Sequence, residues 1–185
     1  MVQRMFLSYC DEDRVWCQRL HTDLCRHLGL ARHGNVIYFA PRSNLPGDAW
    51  SPHLQAALTE SPIFLIAISR AAAASSWVRV EAERALQLKR ANPQRLIIPL
   101  LTTWDKSHLY AINRELENYQ YADFREEGMY EQTLATLVYV LKRPQTLLES
   151  ERTRIGATWI PLQKPTGIRA IESIGGFIKD MVMGE

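Results

Sequence analysis

Short apolar segments alternate with longer amphipathic segments through residues 1–143 of the chain. The apolar segments are too short for helices of ordinary length, whereas the segments between them have helical periodicity. Repeated alternation of strand and helix predicts an α/β fold, a doubly wound parallel five-stranded sheet with helices on both faces. The predicted strands are RMFLSY (4–9), NVIYF (35–39), PIFLIAIS (62–69), QRLIIPLL (94–101) and the weaker YQYADF (119–124).

The helical segments carry their own boundary signals. In the first, Val15, Leu20, Leu24 and Leu28 recur at helical spacing, and Gly29 follows as a C-terminal stop. Further helices are predicted over residues 48–61, with Asp48 as N-cap, and over 75–92 and 128–143.

Composition excludes several classes of protein. The 22 basic and 20 acidic residues are well mixed, which argues against a protein built mainly to bind nucleic acid. No apolar run approaches the ~20 residues that span a bilayer, and the N-terminus lacks the features of a signal peptide. The three cysteines have no framework spacing, so we expect reduced thiols and a cytoplasmic protein.

The pattern changes at Pro144. A stretch with no clear periodicity is followed by an amphipathic segment that a glycine pair interrupts. We therefore expect a domain over 1–143 and, over 144–185, a linker with a C-terminal amphipathic segment. That segment either packs back on the domain or serves assembly with a partner or another copy. Its apolar positions are Ile168, Ile171, Ile174, Ile178 and Met181.

Motif searches narrow the chemistry. The chain has no GxGxxG, no phosphate-binding-loop lysine motif and no GxSxG elbow. Cys17, His21 and Cys25 share a helix face, and zinc accepts both residue types. However, the first and last of them lie roughly 12 Å apart along a helix, too far for one ion. We expect packing roles for these residues and no metal site.

Two glutamates on the helix at 75–92 point in different directions, because positions two apart differ by about 200°. Glu83 shares a face with Arg79, which suits a solvated ion pair. Glu81 shares a face with Trp77, and a carboxylate beside an aromatic wall suits a site that stabilises a cationic transition state. The plain alternative is that Glu81 is a solvated helix residue.

Three segments, which we expect to be loops, follow the first three strands and should meet at one edge of the sheet. Ligands of such folds bind beyond the C-terminal ends of the strands, so function is expected there. The segments are SYCDED (8–13), APRSNLPGDAW (40–50) and SRAAAASSW (69–77).

The order of these motifs resembles that of a TIR (Toll/interleukin-1 receptor) domain of the bacterial NAD-cleaving type, over about residues 3–143. That resemblance implies a flavodoxin-like fold. The segments that carry it are MFLSYCDED, YFAPRSNLPGDAWSPHLQAAL, SPIFLIAISRAAAASSWVRVEAERAL, RLIIPLL and YADF.

The resemblance implies that Glu81, four residues after Trp77, is the catalytic carboxylate of an NAD+ glycohydrolase or cyclase. Nicotinamide leaves as a neutral ring from a pyridinium, so one acid that steadies the ribosyl cation suffices. NAD+ would be the substrate, with no cofactor and no metal. The implied substrate-binding residues are Tyr9, Cys10, Arg42, Leu45, Gly47, Trp50 and Trp77.

The chain departs from the family pattern in two places. Many relatives have an acidic residue after the second strand, where this chain has Ala40 and Pro41, and several have a basic residue where it has Cys10. These differences bear on substrate placement more than on the bond that is broken.

The resemblance also implies partners. Relatives often complete the pocket with a neighbouring copy, which predicts a homo-oligomer formed through TIR–TIR contacts and possible control by a regulatory domain or partner protein. The implied setting is an immune or cell-death effector, for example in antiphage defence. Two alternatives stay open: a non-catalytic scaffold that signals by homotypic contacts, and a nucleoside-transferring enzyme of similar topology. Neither nucleic acid nor a membrane span is expected.

Overall fold

The computed structural model describes residues 3–30, 36–39, 52–102 and 107–142. All of them belong to one compact unit, Met1–Arg143. The predicted N-cap Asp48, the segment 40–51 and the C-terminal segment 144–185 lie outside the described residues, so those predictions, with the proposed domain boundary, stay predictions.

The sheet confirms the predicted architecture. Its five strands run in the order β2-β1-β3-β4-β5, and every neighbouring pair is parallel. This is the flavodoxin-like order of doubly wound folds. The strands are β1 (Met5–Ser8), β2 (Ile37–Phe39), β3 (Ile63–Ile68), β4 (Leu96–Leu101) and β5 (Ala122–Asp123).

Six α-helices lie among the described residues, with three 3₁₀ turns. The helices are α1 (Arg14–Leu28), α2 (Pro52–Glu60), α3 (Arg70–Ala74), α4 (Ser76–Ala91), α5 (Ser107–Ile112) and α6 (Tyr130–Lys142). The 3₁₀ turns are Asp11–Asp13, Arg114–Asn118 and Glu127–Met129.

The expectation of a loop over 69–77 is wrong in part. Alanines at 71–74 favour helix, and the Ser69 hydroxyl accepts a 2.9 Å hydrogen bond from the Ala72 N–H as an N-cap. The short helix α3 therefore stands between β3 and α4. Helix α5 was also not predicted, because its six residues are too few for a clear periodic signal.

Alternation along β1 divides the core into two clusters. Met5, Leu7 and Tyr9 face one side of the sheet and pack with residues of α1 and α6. Phe6 and Cys10 face the other side and pack with residues of α2, α3, α4 and α5. Because both faces are covered, β3 is buried at every position.

Helix α1 corrects one detail of the predicted apolar stripe. Leu20, Leu24 and Leu28 are buried, but Val15 is 80% exposed. Trp16 packs instead, edge-on against Phe124 with ring centroids 5.4 Å apart. Gly29 ends the helix as predicted, at a φ of 68° that favours glycine.

The three candidate ligands on α1 have packing contacts. Cys17 is fully buried in the core, and the His21 ring lies 5.4 Å from that of Phe39. Cys25 is half-buried, with its sulfur 3.8 Å from Nε2 of His21. In the described part of the chain, no helix is both long enough and apolar enough to cross a membrane.

Candidate functional site

The ends of β1 and β3 define the site by topology. The chain leaves β1 for β2 on one side, whereas β3 lies on the other side of β1 and leads to β4. The crevice at the C-terminal ends of β1 and β3 is therefore the switch point where doubly wound folds bind ligands. Ser8 and Ser69 stand at these two strand ends.

Glu81 comes to this edge on helix α4. The helix begins at the N-cap Ser75, whose hydroxyl accepts a 3.4 Å hydrogen bond from the Val78 N–H. The Glu81 side chain is only 2% exposed, and the Ser8 hydroxyl donates a 2.5 Å hydrogen bond to its Oε2. A buried carboxylate needs such partners. Glu81 is therefore not the solvated helix residue of the plain alternative.

Tyr38 on β2 adds an aromatic ring that sequence reasoning missed. Burial raises the pKa of the Tyr38 phenol, and the negative charge of Glu81 raises it further. The Tyr38 ring stacks on Phe6, with centroids 5.3 Å apart. Tyr38 pairs in register with Phe6 and therefore lies on the same face of the sheet as Ser8. In the sequence, the alternation of side chains along β2 could have indicated which residues of that strand share a face.

A second polar cluster, Asp13 with Cys10 and Ser69, connects the C-terminal ends of β1 and β3. Oδ2 of Asp13 accepts a 2.5 Å hydrogen bond from the Ser69 hydroxyl and a 2.8 Å hydrogen bond from the Cys10 thiol. Burial, followed by the hydrogen bond to Asp13, raises the pKa of Cys10 to about 12. Cys10 therefore stays a neutral thiol at physiological pH and is no nucleophile.

Trp77 and Glu83 are the other residues of α4 whose surroundings were predicted from the sequence. Trp77 is half-buried in the first turn, one turn before Glu81. Glu83 accepts a 2.8 Å hydrogen bond from Nδ2 of Asn113 and lies 3.7 Å from Arg90. Its ion pair is thus with Arg90 rather than with the predicted Arg79.

The structure does not bring Tyr9 together with Glu81. Tyr9 is 1% exposed and stacks on Phe39, with ring centroids 4.6 Å apart, in the core on the opposite face of the sheet. The other candidate substrate-binding residues, Arg42, Leu45, Gly47 and Trp50, lie outside the described residues.

Three solved structures have similar folds. The TIR domain of the Toll-related receptor TRR-2 from Hydra magnipapillata is 17% identical, with a TM-score of 0.52 over 76% of this chain and 99% of that one. The TIR domains of the activated Roq1 resistosome, which directly recognises the pathogen effector XopQ, are 16% identical, with a TM-score of 0.54 over 75% and 99%.

The third is a metazoan TIR-STING receptor from C. gigas in complex with 2',3'-cGAMP. It is 21% identical, with a TM-score of 0.55 over 77% of this chain and 40% of that one. At these identities the likeness shows the fold alone. No curated protein sequence is significantly similar to the chain.

The family model of the TIR domain matches residues 5–138. That range includes all five strands and the whole of α4. The chain therefore belongs to the TIR domain family.

Proposed function

We propose that this TIR domain is an NAD+ glycohydrolase or cyclase that cleaves the bond between nicotinamide and ribose, with Glu81 as its catalytic carboxylate. The observation that carries the proposal is the placement of Glu81. It is buried at the C-terminal edge of the sheet, at the switch point, and hydrogen-bonded to Ser8.

The chemistry needs few groups. The pyridinium of NAD+ departs as neutral nicotinamide, so no acid has to protonate the leaving group. A positive charge develops on the ribosyl carbon, and a nearby carboxylate stabilises it. The low dielectric around a buried acid strengthens that interaction relative to water. Water then completes hydrolysis, or a second nucleophile on the same molecule completes cyclisation.

The surrounding side chains suit a cationic aromatic substrate. Trp77 is half-buried one turn before Glu81. Tyr38 on β2 lies on the same sheet face as Ser8, the hydrogen-bond donor to Glu81. Aromatic faces attract cationic rings such as the pyridinium. In this proposal Arg42, Leu45, Gly47 and Trp50, from the segment after β2, contact the rest of the dinucleotide, and Cys10 contacts it through shape rather than charge.

Self-assembly is the proposed activation step. Glu81 is 2% exposed, so substrate reaches it only after local opening of the site. Contacts between TIR domains that favour the open form would switch activity on. We place the protein in the cytoplasm as an immune or cell-death effector. Residues 144–185, or a regulatory partner, would control assembly.

The test measures nicotinamide release from NAD+. Wild type at high concentration, with assembly verified by light scattering, is compared with Glu81→Gln and Glu81→Ala, and chromatography identifies the products. The matched control is Glu83→Gln, two residues along the same helix and engaged by Asn113 and Arg90 at its surface. We expect turnover in wild type and the control, with a loss of at least about 100-fold in both Glu81 variants. Equal turnover in Glu81→Gln and wild type would remove Glu81 from catalysis.

A non-catalytic scaffold is the second candidate function. The observation that favours it is the hydrogen bond between Ser8 and Glu81, because this bond also connects α4 to β1 and could serve the fold alone. A scaffold predicts that assembled wild-type protein releases no nicotinamide. It also predicts that the Glu81 variants lose stability or self-association and nothing else.

A further inference from the structure

The donor to Glu81 stands on a rigid part of the sheet. Ser8 is the last residue of β1 and is fully buried. It pairs in register with Ile66 of β3, while earlier residues of β1 pair with β2 on the other side. The Ser8 hydroxyl is therefore anchored to a strand that is hydrogen-bonded along both edges.

Glu81, in contrast, reaches the site on a long flexible side chain. A glutamate on a helix has several rotamers that differ in where the carboxylate lies. A hydrogen bond from a fixed hydroxyl to a carboxylate oxygen is charge-assisted and selects the rotamers that keep it. The 2.5 Å contact from Ser8 to Oε2 therefore fixes one end of the Glu81 side chain relative to β1.

We infer that Ser8 is a positioning residue for the reaction. Through its hydrogen bond it holds the Glu81 carboxylate in the orientation that meets the developing ribosyl cation, without contacting the substrate itself. This inference rests on the proposed function.

The hydrogen bonds of Asp13, next to this site, help to hold the end of β1 in place. Asp13 joins the thiol of Cys10, just after β1, to the hydroxyl of Ser69, just after β3. The two strand ends that flank the switch point are thus tied to each other beyond their backbone pairing. Ser8 is the last residue of β1, next to this tied region, so the backbone that carries its hydroxyl is restrained on both sides.

The main test compares Ser8→Ala, Ser8→Thr and a buried-serine control. Ser61 is 5% exposed and precedes β3 at the opposite edge of the sheet, so Ser61→Ala is the control. We expect Ser8→Ala to lower kcat for nicotinamide release by about 10- to 100-fold and to change KM by less than about threefold. Ser8→Thr keeps the hydroxyl and should recover most of kcat, while Ser61→Ala should match wild type.

A second measurement does not depend on activity. Thermal unfolding of Ser8→Ala, Glu81→Ala and the double variant forms a cycle, in which direct contact predicts that the two effects do not add. If Ser8→Ala turns over like wild type while Glu81→Ala is inactive, the inference is overturned and the proposed function stands. If assembled wild type releases no nicotinamide, the proposed function and the positioning role of Ser8 are both overturned. Non-additive effects on stability would then show that the Ser8–Glu81 hydrogen bond serves only to stabilise the fold.

Discussion

The hydroxyl of Tyr130 in α6 donates a 2.9 Å hydrogen bond to Oδ2 of Asp23 in α1. Both residues are buried, and the Arg19 guanidinium lies 3.8 Å from the centre of the Tyr130 ring. Asp23 also pairs with Arg26 at 3.3 Å. This group joins the two helices that cover one face of the sheet.

Tyr130→Phe should lower the free energy of unfolding by about 1–3 kcal/mol, because it leaves a buried carboxylate with one hydrogen-bond donor fewer. Urea denaturation followed by circular dichroism measures the change. Tyr110→Phe is the control, since Tyr110 is half exposed and should cost less than about 0.5 kcal/mol. Equal effects of the two substitutions would contradict the buried role of the Asp23–Tyr130 bond.

The raised pKa of the Cys10 thiol predicts that the free energy of unfolding falls at alkaline pH. Burial and Asp13 raise its pKa from 9.0 to about 12 in the folded chain. The folded state therefore holds the proton more tightly, and this contribution is complete below pH 9 and is lost as the pH rises towards 12. The free energy of unfolding should fall less steeply over that window in Cys10→Ala than in wild type. Identical slopes would refute the assignment.

Asp13 should matter for stability although it is charged and lies near the surface. Asp13→Ala removes the acceptor of both Ser69 and Cys10, so we expect a loss of about 1–3 kcal/mol in the free energy of unfolding. Glu12→Ala, its exposed neighbour, is the control and should be close to neutral. A neutral Asp13→Ala would mean that the strand ends hold together without it.

Two apolar residues of α1 should behave very differently. Val15→Ser should change the free energy of unfolding by less than about 0.5 kcal/mol, because Val15 is 80% exposed. Leu20→Ala should cost about 2–5 kcal/mol, because Leu20 is fully buried. Thermal or urea denaturation of both variants checks this contrast. A large loss in Val15→Ser would contradict the exposed position of Val15.

Trp77 gives a prediction about binding rather than rate. Under the proposed function, Trp77→Ala should raise KM for NAD+ about tenfold and Trp77→Phe by less, since an aromatic face attracts the pyridinium. Steady-state nicotinamide release separates KM from kcat. An unchanged KM in Trp77→Ala, with unchanged folding, would exclude Trp77 from the pocket wall.

Strand patterns carried most of the fold prediction. The apolar runs PIFLIAIS (62–69) and QRLIIPLL (94–101) predicted two buried strands, which the structure confirms as β3 and β4. Their pairing with each other was not predicted. The two shortest helices were not predicted. Helix α3 has five residues and α5 has six, which is too few turns for a helical period to be recognised.

For the site, helix geometry separated Glu81 from Glu83 correctly, since residues two apart point away from each other. It gave no sign that Ser8 would meet Glu81, because the two residues come from β1 and α4, and only the tertiary fold brings them together. The partner of Glu83 was misassigned to Arg79 for a related reason. Arg90, two turns further along, and Asn113, beyond β4, compete for the same carboxylate.

The packing of α6 onto the first core cluster has a consequence for synthesis on the ribosome. Leu134, Leu137 and Leu141 belong to the same core cluster as Met5 and Leu7, which are translated more than a hundred residues earlier. Until α6 has left the exit tunnel, that apolar cluster stays open on the nascent chain. Such exposure invites aggregation in proteins that depend on late, long-range contacts, so the growing polypeptide is a natural client for chaperones.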